Sequence, residues 1–313
     1  MIEKEIEIES KGSNLSGTIC IPEDKGSFPF VLMVHGSGPL DRDENMANQK
    51  LNIFNSIAYH LASVGIASLR YDKRGCGKSS GSFYKASHFD FVEDAIACFD
   101  TLDKSELCMK NNIYVLGHSE GCIIAPQMSL KRPSIAGIVL LCPFVQNMES
   151  ILINQARHIQ EAINNLEGIK GIITRLLLKL MGDPVTSQRK LIDKLKSSST
   201  PTIRIWFRKI PANWLRELLQ IDPQDILKRV MCPILMIGAE KDIQCDPADV
   251  RRIAELKEGT AEAHVIKGLT HILRVDEREP SIFHYAELIE KPVEPVVLKL
   301  VTQWLEQKIC AQS

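Results

Sequence analysis

Ile113-Tyr114-Val115-Leu116-Gly117-His118-Ser119-Glu120-Gly121 is the stretch on which the fold turns. Its first four residues form an apolar run of strand type, and a helical pattern runs from Gly121 to Leu130. Ser119 therefore sits where a strand passes into a helix. A serine there needs a strained turn to lift its hydroxyl above the sheet edge. Gly117 and Gly121 are small enough to let strand and helix approach at that turn. The helix start also offers backbone N–H groups and a positive dipole end to a developing anion.

Outward from this stretch the pattern repeats. Upstream, Phe30-Val31-Leu32-Met33-Val34 is a continuous apolar run, the mark of a strand buried on both faces, and it ends in His35-Gly36-Ser37-Gly38-Pro39. Leu51, Phe54, Ala58 and Leu61 have helical spacing, Ile66–Tyr71 reads as a strand, and Val92, Ala95, Ile96, Phe99 and Leu102 mark a helix. Downstream come a strand at Ile138–Leu141 and another at Pro233–Gly238. A helix near Asp249–Leu256, a short strand at Ala263–Ile266 and a final helix at about Val296–Ile309 complete the series. Alternating strands and helices predict a mostly parallel central sheet flanked by helices. Residues 2–21 alternate instead and predict an N-terminal β-hairpin.

Residues 144–230 interrupt the rhythm. They carry helical patterns, such as Ile151, Ile159, Ile163 and Leu166, then Ile172, Leu176, Leu177 and Leu180, then Trp214, Leu215, Leu218 and Leu219, with no convincing buried strand. The expected organisation is an α/β core of residues 1–143 and 231–313 with a helical lid, or cap, inserted at 144–230.

The chain has 313 residues, 44% hydrophobic and 25% charged, enough for one large domain with an insertion. Lys plus Arg total 38 against 39 Asp plus Glu. That near-neutral balance predicts no electrostatic footprint for nucleic acid or anionic lipid, and no apolar run is long enough to predict stable membrane insertion. The nine scattered cysteines form no C-x-x-C pair and read as reduced thiols in a cytoplasmic protein. The eight histidines show no metal-binding spacing, so neither a metal nor a cofactor is expected.

A serine hydroxyl is a weak nucleophile and needs a base. His271 lies just past the last strand and Asp242 just past the one before it, both at strand carboxyl ends, where such sheets place ligands. The chain order Ser119, Asp242, His271 is the order expected of a nucleophile elbow fold. His264 and His284 fit the base role less well, while Glu240 and Asp246 compete with Asp242. The oxyanion donors are expected to be the N–H groups of Ser37 and Glu120, with His35, Gly36 and His118 in supporting positions.

These segments resemble the α/β-hydrolase superfamily, and within it the bacterial carboxylesterases of the prolyl-oligopeptidase-like and serine-aminopeptidase-like branch. The resemblance is carried by His35–Pro39 with Asp41-Arg42-Asp43-Glu44, Tyr71-Asp72-Lys73-Arg74-Gly75-Cys76-Gly77-Lys78-Ser79, the serine pentapeptide, Gly238–Asp242 and Leu269-Thr270-His271. It implies nucleophile Ser119, acid Asp242, base His271 and oxyanion donors Ser37 and Glu120. Cys122 departs from the pattern, where a second glycine is expected after Gly121. The Asp41–Glu44 and Asp72–Ser79 segments are expected to brace the loops around the site, with direct substrate contact by Arg42 or Arg74 as the alternative. The expected function is hydrolysis of a small-molecule carboxylic ester through an acyl-enzyme. An aminopeptidase- or amidase-like hydrolase, using Glu149, Glu161 or Glu167 for a free amine, is one alternative. A non-catalytic binding protein on the same fold is another. A homodimer is compatible with each. Leu176, Leu177, Leu180, Trp206, Phe207 and Trp214 are expected either to line an acyl pocket or to pack the lid.

Overall fold

The computed structural model describes residues 1–311, without the side chains of residues 170, 177, 179, 180 and 181. Its sheet grows from β3 (Phe28–Val34), in which every residue is buried. Alternation along the strand sends Phe30, Leu32 and Val34 into one apolar layer and Val31 and Met33 into the other. The helices α1 (Ile53–Ser63) and α11 (Pro295–Cys310) cover the second layer. The helices α2 (His88–Asp103), α3 (Gly121–Lys131) and α9 (Ala248–Leu256) cover the first.

Eight strands form the sheet in the order β1-β2-β4-β3-β5-β6-β9-β10. The later strands are β4 (Ala67–Tyr71), β5 (Cys108–His118), β6 (Gly137–Leu141), β9 (Ile234–Ala239) and β10 (Ala261–Ile266). They run parallel from β4 to β10. The hairpin of β1 (Ile2–Ser10) and β2 (Ser13–Ile21) adds antiparallel to β4. Lys11 and Gly12, both at positive φ, make its two-residue turn, the geometry whose twist matches paired strands. This is the α/β-hydrolase fold.

The segment between β6 and β9 departs in part from expectation. It contains α4 (Met148–Asn164), α5 (Gly168–Met181), α6 (Pro184–Ser197), α7 (Ala212–Leu218) and α8 (Pro223–Arg229). Between α6 and α7 it also holds a two-stranded ribbon, β7 (Thr202–Ile205) with β8 (Arg208–Pro211). Each ribbon strand has four residues and mostly exposed or half-buried side chains, so no apolar run announced it. Helix α6 is capped by Asp183 with Pro184 at its first position, but its narrow buried stripe of Ile192 and Leu195 left only a faint apolar period.

Candidate active site

The parallel strands β3, β5, β6 and β9 bring their carboxyl ends to one sheet edge, and the loops leaving that edge carry Gly36, Ser119, Cys142 and Asp242. At the end of β5 the chain reverses through Ser119 at φ +54°, a left-handed conformation that costs a non-glycine residue about 1–2 kcal/mol. The flanking glycines make the turn feasible. A Cβ on Gly117 would lie 2.2 Å from the Gly121 carbonyl oxygen, and one on Gly121 would lie 2.2 Å from the Val34 carbonyl oxygen. Cys122 packs its thiol under the turn against the carbonyls of Gly117 and Leu141, and burial raises its pKa well above the usual thiol range. It fills space where a glycine was expected.

The Ser119 Oγ lies 3.0 Å from His271 Nε2, and His271 Nδ1 lies 2.7 Å from Asp242 Oδ2. The other Asp242 oxygen accepts the N–H groups of Gln244 and Cys245, which fixes the carboxylate. The competing groups are engaged elsewhere. Glu240 accepts the Gly268 N–H, Asp246 accepts the Ala248 N–H and pairs with Arg252, His264 meets Glu262, and His284 meets Asp276.

Gly36 presses against the elbow, since a Cβ there would lie 3.2 Å from the Ser119 Cβ. The next residue, Ser37, is exposed. Among the described residues, the backbone N–H groups of Ser37 and Glu120 donate to no protein acceptor. His35 lies behind this loop with Nε2 2.5 Å from the Tyr71 carbonyl oxygen. Burial, aided by the Lys73 cation, lowers its pKa to about 4, so the ring is neutral at pH 7 and Nε2–H donates.

A cavity of about 130 Å³ opens beside Ser119, walled by Leu40, Met46, Leu51, Ile272 and Tyr285. A larger cavity of about 820 Å³ lies on the far side of the Asp242 loop, against α4, and Gln244 borders both. Of the three glutamates considered for amine recognition, Glu161 lines this larger cavity, Glu149 pairs with Lys196, and Glu167 precedes α5. Cys142, Asp242 and His271 bring potential metal-ligand atoms within 4.8 Å of one another. Burial holds the Cys142 thiol protonated, and the other two groups are bonded to each other, so this set suits a hydrogen-bonded relay better than a cation.

Residues 47–278 match the model of the family described as Hydrolase_4: Serine aminopeptidase, S33. The chain belongs to this family. Esterase EstD of Thermotoga maritima is 30% identical to it over 247 residues, 79% of this chain and 53% of that protein, so the chain spans about half the length of this curated relative. Among solved structures, ferulic acid-bound Est1E from Butyrivibrio proteoclasticus aligns with a TM-score of 0.64 at 19% identity, covering 97% of this chain and 99% of that one. The α/β hydrolase GrgF from Penicillium sp. sh18 aligns with a TM-score of 0.64 at 16% identity, covering 99% and 100%. At these identities the two structures show the shared fold.

In this member of the serine aminopeptidase family, three residues tie the site together through partners that the sequence did not single out. The first is Glu44. Its carboxylate accepts the Gly36 N–H at 2.7 Å and meets His118 Nδ1 at 2.7 Å. His118 Nε2 lies 3.0 Å from the His271 carbonyl oxygen, so both ring nitrogens face acceptors, an arrangement that favours the imidazolium. Burial opposes that charge, but Glu44 outweighs it and raises the His118 pKa. The Gly36 loop, the Ser119 turn and the His271 loop thus share one buried Glu44–His118 pair.

The second is Lys73, whose ammonium donates to the Gly36 carbonyl at 2.7 Å and to the Glu120 carboxylate at 3.2 Å. The third is Trp214 of α7, whose indole N–H donates to Glu120 at 2.5 Å. Arg42 and Arg74 brace, as favoured from sequence: Arg42 binds Asp72, Glu5, Ser16 and Thr18, while Arg74 binds Asp94 and Ser13. Of the two expectations for the insertion, lining an acyl pocket or packing the lid, burial accords with neither at three positions. Leu176, Trp206 and Phe207 are exposed, and only Trp214 is buried. The side chains of Leu177 and Leu180 lie outside the described residues.

Proposed function

We propose that the chain is a serine hydrolase that cleaves carboxylic esters through an acyl-enzyme on Ser119. The carrying observation is the Ser119–His271–Asp242 relay, with contacts of 3.0 and 2.7 Å, on a left-handed elbow residue. His271 takes the proton from Ser119 as its oxygen attacks the ester carbonyl. Asp242 holds the imidazole in one tautomer and stabilises its charged form. The free N–H groups of Ser37 and Glu120 receive the oxyanion. His271 returns the proton to the departing alcohol, and a water activated by the same ring then releases the acid.

An ester rather than another acyl substrate is supported by the relative named Esterase EstD. The 130 Å³ cavity beside Ser119 is slightly smaller than the roughly 150 Å³ site that holds benzene in an engineered protein, so it suits a short acyl group. We take residues 144–230 as a cap over the carboxyl edge of the sheet, since Trp214 reaches from it to the residue after the nucleophile. The free and mostly buried thiols fit a reducing compartment such as the cytoplasm. A homodimer remains part of this reading as an option and has no bearing on the chemistry.

Amide hydrolysis is the second reading, favoured by the family description and by Glu161 at the larger cavity. A fluorophosphonate probe and paired panels of p-nitrophenyl esters and aminoacyl p-nitroanilides separate these readings. Labelling that vanishes in Ser119→Ala, with ester turnover well above anilide turnover, is the expected result. Faster anilide turnover selects the amidase reading. No labelling of the pure protein selects a binding protein on the hydrolase fold.

A further inference from the structure

The overall charge of the chain conceals a strong segregation. From the start of α5 to the end of β8, residues 168–211, there are ten Lys and Arg against two Asp, a net of +8, while the whole chain nets −1. Seven of those cations, Arg189, Lys190, Lys194, Lys196, Arg204, Arg208 and Lys209, are exposed. Among the described residues only Lys196 of the seven is ion-paired, with Glu149. Lys194 of α6 donates to the Arg204 carbonyl, which sets the basic face of α6 beside the ribbon.

The same stretch carries apolar side chains in solvent. The ribbon turns through Trp206 at φ +54°, leaving Trp206 75% and Phe207 100% exposed between Arg204 and Arg208. On α5, Ile169, Ile172, Ile173 and Leu176 are each more than half exposed and follow the i, i+3, i+4, i+7 spacing of a single helix face. Exposed apolar patches of this kind mark a contact surface. An aromatic tip flanked by arginines and an aliphatic helix stripe in a cationic setting match the interface of a bilayer. There, rings sit at headgroup depth and Lys and Arg meet anionic headgroups.

We propose that the α5–β8 part of the cap is a docking surface for bilayers bearing anionic headgroups, with Trp206 and Phe207 as the inserting tip. The binding is peripheral, since no described helix is long and apolar enough to cross a membrane. Nucleic acid would use the cations and stack on the aromatic tip, but it offers nothing to the aliphatic stripe of α5. A second copy of the chain would bring one set of exposed cations against another, which repulsion disfavours. The proposal does not depend on the chemistry at Ser119.

The test is co-sedimentation of the full chain with vesicles of phosphatidylcholine alone and of phosphatidylcholine mixed equally with phosphatidylglycerol, at low and high salt. The expected result is binding to the mixed vesicles only, weakened by salt. Arg204→Gln with Arg208→Gln should weaken it about fivefold per charge removed. Trp206→Ser with Phe207→Ser should weaken it at either salt concentration. Melting temperatures of the variants report that the fold is kept. Three outcomes overturn the proposal. The first is no binding to the mixed vesicles, or binding that none of the substitutions changes. The second is tighter binding to a single-stranded oligonucleotide than to the vesicles. The third is a dimer in light scattering that dissociates in the Phe207→Ser variant, which would make the tip a contact between copies.

Discussion

Around Ser119 the side chains are buried and cross-linked, whereas between residues 168 and 211 several apolar side chains stand in solvent among exposed cations, of which only Lys196 is ion-paired among the described residues. Glu44, His118, Lys73 and Glu120 are each almost fully buried, and each charge meets an opposite charge or a hydrogen-bond partner. A buried charge without a partner is costly, so this region tolerates few alternative arrangements. The cap stretch has few such constraints. Its exposed cations remain hydrated, and the exposed side chains of Ile169, Ile172, Ile173, Trp206 and Phe207 contribute little to folding where they are. The contrast separates residues retained for geometry from residues free to meet a partner.

Experiments can break or sharpen that contrast, beginning with the largest effect. Ser119→Ala should lower ester turnover by about 10⁶-fold while leaving the fold intact. Turnover within tenfold of the parent would dissolve the relay and remove the reason to regard the two regions differently. Gly121→Ala comes next. Its new Cβ would meet the Val34 carbonyl oxygen at 2.2 Å, and the loss of stability should reach about 4 kcal/mol or leave the protein unfolded. A urea midpoint close to that of the parent would show that the elbow is more yielding than its packing implies.

Acid should also weaken the buried region more than the cap. His35 titrates near pH 4 when folded, against 6.5 as its ordinary value. Between those values the unfolded chain holds a proton that the native state lacks, so stability falls as pH drops from 6.5 towards 4, by up to about 3 kcal/mol. Urea midpoints measured across that window should fall, and His35→Gln should flatten the slope. His118 has the opposite sign. Its raised pKa supplies stability that is present below its ordinary value and lost as pH rises through the folded one. The smallest effect is expected at the cap tip. Trp206→Ser and Phe207→Ser should each change stability by less than about 0.5 kcal/mol, because neither ring is buried. A larger loss in thermal unfolding would mean that the tip packs on the protein in solution.

Much of the site was legible because its signals are short-range. The strand, the left-handed serine and the two flanking glycines lie within a dozen residues. Asp242 follows a strand whose apolar run marks where the chain leaves the sheet, and His271 follows the short strand β10. The supporting links were not legible. Glu44 meets His118 across 74 positions, His118 meets the His271 carbonyl across 153, and Trp214 meets Glu120 across 94. A lone Glu, Lys or Trp carries no periodic pattern to announce such a pairing. The ribbon β7–β8 escaped notice for a related reason, since four-residue strands that bury almost nothing leave no alternation to detect.

The amino-acid sequence alone determined the alternating α/β architecture, the helical break after β6 and the placing of Ser119, Asp242 and His271 just past strand ends. Each of these follows from apolar periodicity or from glycine at a tight turn, and both act over a few residues. The tertiary structure alone decided that Glu44 raises the His118 pKa, that Lys73 joins Gly36 to Glu120, and that Trp206 and Phe207 face solvent. Burial and electrostatic partnership are properties of residues brought together from distant parts of the chain, and only the folded packing sets them.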